Sequence, residues 1–157
     1  MKRHSRRAIL ASAGAATAAG ALGVPLLTVR PAAATPEKMQ AAIKAVVGEA
    51  PVKKGRVTLD IPPLVENGNT VAMTVTVESP MTPADRVKVV HVFNEKNPQP
   101  TVIDAHFGPR AAKASFSARI RLADTQTLVA IAEMSDGSFW SDQVDVIVTL
   151  AACLEYN

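Results

Sequence analysis

The stretch TVAMTVTVE, residues 70–78, has the clearest pattern in the sequence. Its large apolar residues alternate with small or polar ones, and they are Val71, Met73, Val75 and Val77. Successive side chains of a strand point to opposite faces of a sheet, so this period of two predicts a strand with one buried face. The turn-forming residues Asn67-Gly68-Asn69 precede it directly.

Outward from this stretch, six further segments have strand patterns, and turn signals separate them. They are Arg56–Ile61, Val87–Asn94, Thr101–Phe107, Ala114–Leu122, Thr127–Met134 and Phe139–Leu150. Thr127–Met134 is apolar on both faces, which predicts a central strand. In the last segment, the residues expected on one apolar face are Val144, Val146, Val148 and Leu150. Seven strands with no helix between them predict an antiparallel β-sandwich.

One helix is predicted before the strands, over Pro36–Val47. Thr35 can cap it, Pro36 suits its first position, and Gly48 suits its end. Its apolar residues fall on one face, and they are Met39, Ile43, Val46 and Val47. The predicted fold class is therefore mainly β, with one short N-terminal helix.

Residues 1–34 have the pattern of an export signal. Ser5-Arg6-Arg7 precedes an apolar run rich in Ala and Gly, which resembles a twin-arginine leader. Ala32 and Ala34 suit a cleavage site after residue 34, and an uncleaved membrane span is the alternative. The expected organisation is a signal peptide over 1–34, a helix-plus-sandwich domain over 35–150 and a C-terminal arm over 151–157, in the periplasm.

The charge balance argues against a nucleic-acid partner. Of 17 basic residues, five lie before Thr35, where there is no acid. The remaining chain has 12 basic and 14 acidic residues, which lacks the excess that a phosphate-binding surface needs. We also expect no membrane contact once the leader is cleaved. A single Cys excludes a disulfide within the chain.

The sequence offers little enzyme or metal chemistry. It has no Gly-rich phosphate loop, no G-x-S-x-G and no C-x-x-C, and we expect no cofactor. A copper or zinc site from His91, His106 and Cys153 is conceivable, but strand positions are the simpler interpretation of both histidines. Asp142 and Asp145 are interpreted as solvated charges. The run Lys53–Arg56 is interpreted as a solvated approach to the first strand.

Cys153 is the candidate functional residue. It lies three residues beyond Leu150, near the end of the sequence, where chains are seldom packed. An exposed thiol in an oxidising compartment is a liability unless it bonds to something outside the chain. No basic residue lies within ten positions before it, so its activation would have to come from a docked partner.

Several short motifs, in this order and spacing, resemble the SoxY family, the sulfur carriers of periplasmic thiosulfate oxidation. They are Gly55–Pro62, Glu66-Asn67-Gly68, Glu78–Met81, Asn97–Pro100, Ser117–Ala123, Thr125-Gln126, Met134–Gly137 and Val148-Thr149 before the last Cys. The resemblance implies an immunoglobulin-like sandwich paired with a SoxZ subunit. It also implies that Cys153 carries sulfur covalently on a mobile arm and that the chain itself catalyses nothing.

The same resemblance implies three enzymes that act on the arm. A cytochrome enzyme couples thiosulfate to the thiol as Cys-S-S-sulfonate, a hydrolase releases sulfate, and a sulfane dehydrogenase oxidises the remainder. The family's arm typically ends in Gly-Gly-Cys-Gly-Gly, whereas this chain has Ala-Ala-Cys-Leu-Glu-Tyr-Asn over residues 151–157. Alanines make the chain before Cys153 stiffer than glycines would, and the residues after it add bulk and charge. These differences oppose entry of the tail into a narrow active site.

Three functions stay open at this stage. The first is a non-enzymatic covalent carrier of sulfur oxyanions. The second is a non-conjugating sandwich subunit with a binding or regulatory role, whose Cys153 is inert or forms an intermolecular disulfide. The third is an enzyme that uses Cys153 as a nucleophile, for which the sequence offers no base or oxyanion donor.

Overall fold

The computed structural model describes residues 35–152, so residues 1–34 and 153–157 lie outside the described range. The predicted signal peptide and Cys153 therefore fall outside it. Within the described range, no helix is long and apolar enough to cross a membrane.

Helix α1 spans Pro36–Val47, the range that the sequence predicts. Thr35 caps its start in an extended conformation, and the Thr35 hydroxyl accepts a hydrogen bond from the Lys38 amide at 3.4 Å. Gly48 ends the helix with a φ of 61°, which glycine adopts without a steric penalty. The local sequence alone therefore accounts for both helix ends.

Nine strands follow within residues 35–152. In chain order they are β1 (Val52–Lys54), β2 (Val57–Asp60), β3 (Leu64–Val65), β4 (Val71–Val77), β5 (Val87–Asn94), β6 (Thr101–His106), β7 (Ala114–Ile120), β8 (Gln126–Met134) and β9 (Phe139–Val148).

The strands form two sheets. The larger sheet has the order β1-β9-β8-β5-β6, and β3 also pairs with β9. The smaller sheet has the order β2-β4-β7. All pairs are antiparallel except that β1 and β3 run parallel to β9. The chain thus leaves the larger sheet after β1 and forms β2 in the smaller sheet. It then returns to the larger sheet as β3, so the two sheets are connected twice beside β9.

The core lies between the two sheets. The inward residues of β4 are at most 4% exposed, and they are Val71, Met73, Val75 and Val77. They belong to one buried cluster with residues of β5 and β8, such as Val90 and Leu128. The predicted strand over residues 70–78 and its buried face are therefore confirmed.

Helix α1 covers part of the outer face of the larger sheet. Met39, only 3% exposed, forms a second buried cluster with Phe93 of β5, Ile131 of β8 and Phe139 of β9. This cluster explains why β8 is apolar on both faces, because one face meets the smaller sheet and the other includes Ile131 beneath the helix. The predicted central position of this strand is confirmed by its place between β9 and β5.

The predicted fold class is confirmed, and two details of the sequence prediction are wrong. β1 and β3 were not predicted. Leu150 does not continue the buried face of the last strand, since it is 61% exposed. The reason is that β9 ends at Val148, and the Leu150 carbonyl accepts a hydrogen bond from the Gly68 amide at 2.8 Å. The chain has left the core face by that point.

The basic run Lys53–Arg56 also has a more specific role than a solvated approach to a strand. Lys53 Nζ and Arg56 Cζ lie 5.2 and 5.6 Å from the ring centroid of Trp140. Arg56 also pairs with Asp85 at 2.8 Å and has a φ of 58°, rare for a residue other than glycine. These contacts fix the point at which the chain crosses from β1 to β2.

Candidate functional site

The segment that leads to Cys153 is held by main-chain hydrogen bonds on two sides. The Thr149 amide donates to the Val65 carbonyl at 3.0 Å, and the Gly68 amide donates to the Leu150 carbonyl. The Ala152 amide donates to the Leu122 carbonyl at 3.0 Å. The last described residues therefore contact both the chain after β3 and the chain after β7.

Ala152 is an anchor at the end of this segment. Ala151 is exposed, whereas Ala152 is only 5% exposed. A Cβ atom on Gly68 would lie 2.3 Å from the Leu122 carbonyl oxygen and 2.9 Å from the Ala152 nitrogen. Three chain segments therefore approach one another so closely that only glycine fits at position 68.

The local sequence prepares this approach. The Asn67 side-chain oxygen accepts a hydrogen bond from the Asn69 amide at 2.9 Å, which closes the turn around Gly68. The sequence predicted this turn but not what it holds, because the contact joins residues about eighty positions apart. Cys153 follows Ala152 directly and lies outside the described residues, so its predicted reactivity stays a prediction.

Exposed apolar side chains flank the base of the tail. Leu64 and Ile147 are register partners in β3 and β9, and they are 58% and 56% exposed. Leu150 lies further along the same segment. We refer to Leu64, Ile147 and Leu150 as the apolar patch.

The two histidines that the sequence offered as metal ligands occupy strand positions. His91 Nδ1 lies 2.7 Å from an Asp104 carboxylate oxygen, and His106 is exposed at the end of β6. Among residues 35–152, no three His, Cys, Asp or Glu side chains come together as a metal site. The copper or zinc site considered from the sequence also needs Cys153, which lies outside the described residues.

The carboxylates that the sequence offered are used in the fold. Asp142 accepts a hydrogen bond from the Leu59 amide at 2.9 Å and so connects β9 with β2. Asp145 accepts a hydrogen bond from the Thr127 hydroxyl at 2.8 Å. In the β8–β9 turn, the Ser138 hydroxyl and amide donate to Asp136 and lower the pKa of that carboxyl group below its usual value. The interpretation of Asp142 as only solvated is therefore incomplete.

Comparison with known proteins decides the family. The sequence model described as "Sulfur oxidation protein SoxY" matches residues 43–153, which is most of the chain and extends to Cys153. The chain belongs to the SoxY family. No curated protein sequence matches it significantly.

One solved structure agrees with this SoxY assignment, and a second shares only the fold. The sulfur carrier protein SoxY from Chlorobium limicola f thiosulfatophilum is 28% identical, with a TM-score of 0.61 over 73% of this chain and 98% of that one. The superoxide reductase (neelaredoxin) from Ignicoccus hospitalis is 16% identical, with a TM-score of 0.53 over 73% of this chain and 94% of that chain. At that identity the reductase shares the fold alone.

Proposed function

We propose that this SoxY-family chain is a periplasmic carrier that holds thiosulfate-derived sulfur covalently on Cys153 and catalyses no step itself. The observation that carries this proposal is the family match, which extends to Cys153. The described residues limit the length of the proposed arm, because the hydrogen bonds of Thr149–Ala152 fix the chain up to the residue before the thiol, so that a movable arm would begin at residue 153 and not at residue 151.

The proposed loading step is an oxidative coupling. The Cys153 thiol loses its proton, and its sulfur bonds to the outer sulfur of thiosulfate to give Cys-S-S-sulfonate. The two electrons released pass to the haem of a cytochrome enzyme. The new bond is disulfide-like, so attack at sulfur by another thiol reverses it. No general base of this chain is needed if the docked enzyme supplies one.

The proposed partners are those of the Sox system. A SoxZ-type sandwich subunit pairs with this chain, and the cytochrome, hydrolase and sulfane dehydrogenase act on the loaded arm. The SoxY-family assignment supports this set of partners. Leu150 of the apolar patch precedes the thiol by three residues, so a partner bound to this patch would lie within about 10 Å of chain length of Cys153.

Intact-mass measurement tests the carrier function. The purified chain with its SoxZ-type partner, thiosulfate and the cytochrome enzyme should gain the mass of one thiosulfate group, and a reducing thiol should remove it. Cys153→Ser should gain nothing, because a hydroxyl does not form this bond.

A second pair of variants separates a failed function from an obstructed arm. Ala151→Gly and Leu154→Gly remove stiffness and bulk, and neither alters the buried Ala152. If neither the natural chain nor these variants gain mass, the carrier function is wrong. If only the glycine variants load, the natural tail blocks standard enzymes and the non-conjugating alternative is favoured.

A further inference from the structure

A preformed cleft lies between the free edges of the two sheets. β6 ends the larger sheet and β7 ends the smaller one, and the cleft between them has a volume of about 400 Å³. Val102, Ile103 and Ile120 contribute apolar side chains to it, and Arg119 and Arg121 contribute positive charge. We refer to these five residues as the arginine cleft.

One wall of the arginine cleft is a loop that hydrogen bonds hold rigidly. The Asn97 side chain donates to the Arg121 carbonyl at 2.7 Å and accepts from the Ala123 amide at 2.9 Å. The buried Asn94 side chain accepts from the Asn97 amide and donates to the Gln99 carbonyl. The cleft therefore exists before anything binds, which lowers the entropy cost of binding.

The two arginines lack acidic partners within the described chain. Both are exposed, and among residues 35–152 neither guanidinium forms an ion pair with a carboxylate. A guanidinium binds a carboxylate through paired hydrogen bonds and also stacks on an aromatic ring. A fitting ligand thus combines a carboxylate, an aromatic ring and apolar bulk in an extended shape.

The tail of this chain has that chemistry and starts at the chain segment that borders the cleft. Leu154, Glu155 and Tyr156 follow Cys153. In an extended segment Leu154 and Tyr156 share one side and Glu155 points to the other. The Ala152 amide is bonded to the Leu122 carbonyl, and Leu122 directly follows Arg121.

The distance is within reach. Glu155 lies three residues beyond Ala152, and three extended residues span at most about 10 Å. Arg121 lies one residue before Leu122, about 3 Å along the chain, whereas Arg119 lies three residues before it, about 10 Å. Because the tail must also pass around the chain that follows β7, Glu155 has enough length for Arg121 and not for Arg119.

We propose that residues 154–156 dock in the arginine cleft, with Glu155 paired to Arg121 and the two apolar side chains against Val102, Ile103 and Ile120. The docked tail holds Cys153 against the domain and slows its reaction with molecules in solution. A partner that competes for the cleft, or for the tail, releases the thiol. This release would regulate loading, a consequence that rests on the proposed carrier function.

Thiol alkylation tests the docking without any sulfur substrate. Cys153 is the only thiol, so the rate of reaction with iodoacetamide reports on this residue alone. Arg119→Glu with Arg121→Glu should raise the rate about three- to fivefold, the effect of losing one exposed ion pair. Glu155→Lys should do the same, and combining all three changes should restore the slow rate. Arg110→Gln, an exposed arginine away from the cleft, is the matched control.

A spin label on Cys153 locates the tail. Broadening of the backbone amides of Thr101–Ile103 would support the docking, and 1 M salt or removal of residues 155–157 should reverse it. Broadening of Leu64 and Ile147 instead would mean that the tail lies on the apolar patch, and the proposal is wrong. Equal alkylation rates in all variants would also overturn it. Neither readout involves thiosulfate, so a failure here leaves the carrier function to its own test.

Discussion

Gly68 is the residue on which the anchoring of Ala152 depends. Its amide and its carbonyl both bond to other segments, to the Leu150 carbonyl and the Leu122 amide, at 2.8 Å each. Gly68 is buried, and a side chain there would overlap the Leu122 carbonyl oxygen. The glycine is thus required by close backbone approach.

We expect Gly68→Ala to destabilise the fold by roughly 1–3 kcal/mol, the usual cost of overpacking, measured by urea unfolding. The added Cβ should also push Ala152 away and speed alkylation of Cys153. Gly108→Ala is the control, since its Cβ would meet no atom within 4 Å. An unchanged free energy of unfolding in Gly68→Ala would mean that the three segments are not closely packed in solution.

At the scale of single residues, some burial can be predicted from the sequence and some cannot. The buried faces of Val71, Met73, Val75 and Val77 were predictable because burial follows the strand period. The burial of Ala152 was not predictable, because it depends on one tertiary contact and leaves no periodic signal. Cys153 was found as a candidate from its position and from being the only thiol.

Among the elements, α1 depends on tertiary packing more than on its own hydrogen bonds. Its range and caps were predictable from Thr35, Pro36 and Gly48. Its partner was not, because the sequence shows an apolar helix face but not which sheet face it covers. A helix of this length is marginal alone in water, so its stability comes from the contact of Met39 with the larger sheet.

We expect Met39→Ala to lower the free energy of unfolding, or of helix detachment, by about 2–5 kcal/mol, the usual cost of truncating a buried Met. Hydrogen exchange of the α1 amides would measure the free energy of helix detachment, and urea unfolding would measure the free energy of global unfolding. Gln40→Ala in the same helix is the control, since Gln40 is exposed. Equal exchange rates in both variants would show that α1 does not depend on this cluster.

The missed strands β1 and β3 illustrate a limit of pattern reading. They have three and two residues, too few to show alternation. They form because β9 is long enough to pair with both. Its residues Phe139–Ser141 pair with β1, and Ile147–Val148 pair with β3. Leu150 was assigned to the wrong environment because β9 ends at Val148 and the Leu150 carbonyl then accepts a hydrogen bond from the Gly68 amide.

At the scale of the whole molecule, the leader predicted over residues 1–34 and the proposed carrier tail would serve one process together with the sandwich. Twin-arginine export usually carries cargo that has already folded, and a SoxZ-type partner can travel with this chain if the pair forms first. The apolar patch, at the base of the tail, is surface that such a pair has reason to cover. Export and pairing are therefore expected to be coupled.

Replacing Arg6 and Arg7 by Lys tests both expectations in cells that co-express a SoxZ-type partner without its own leader. The leader keeps its charge but loses the arginine pair, so unprocessed precursor should accumulate in the cytoplasm, and the partner should stay there with it. Arg3→Lys, outside the pair, should leave export unchanged. Immunoblots of the two compartments measure this distribution.

Normal periplasmic accumulation of the double variant would exclude the twin-arginine route. A partner retained in the cytoplasm beside the exported natural chain would instead exclude pairing before export.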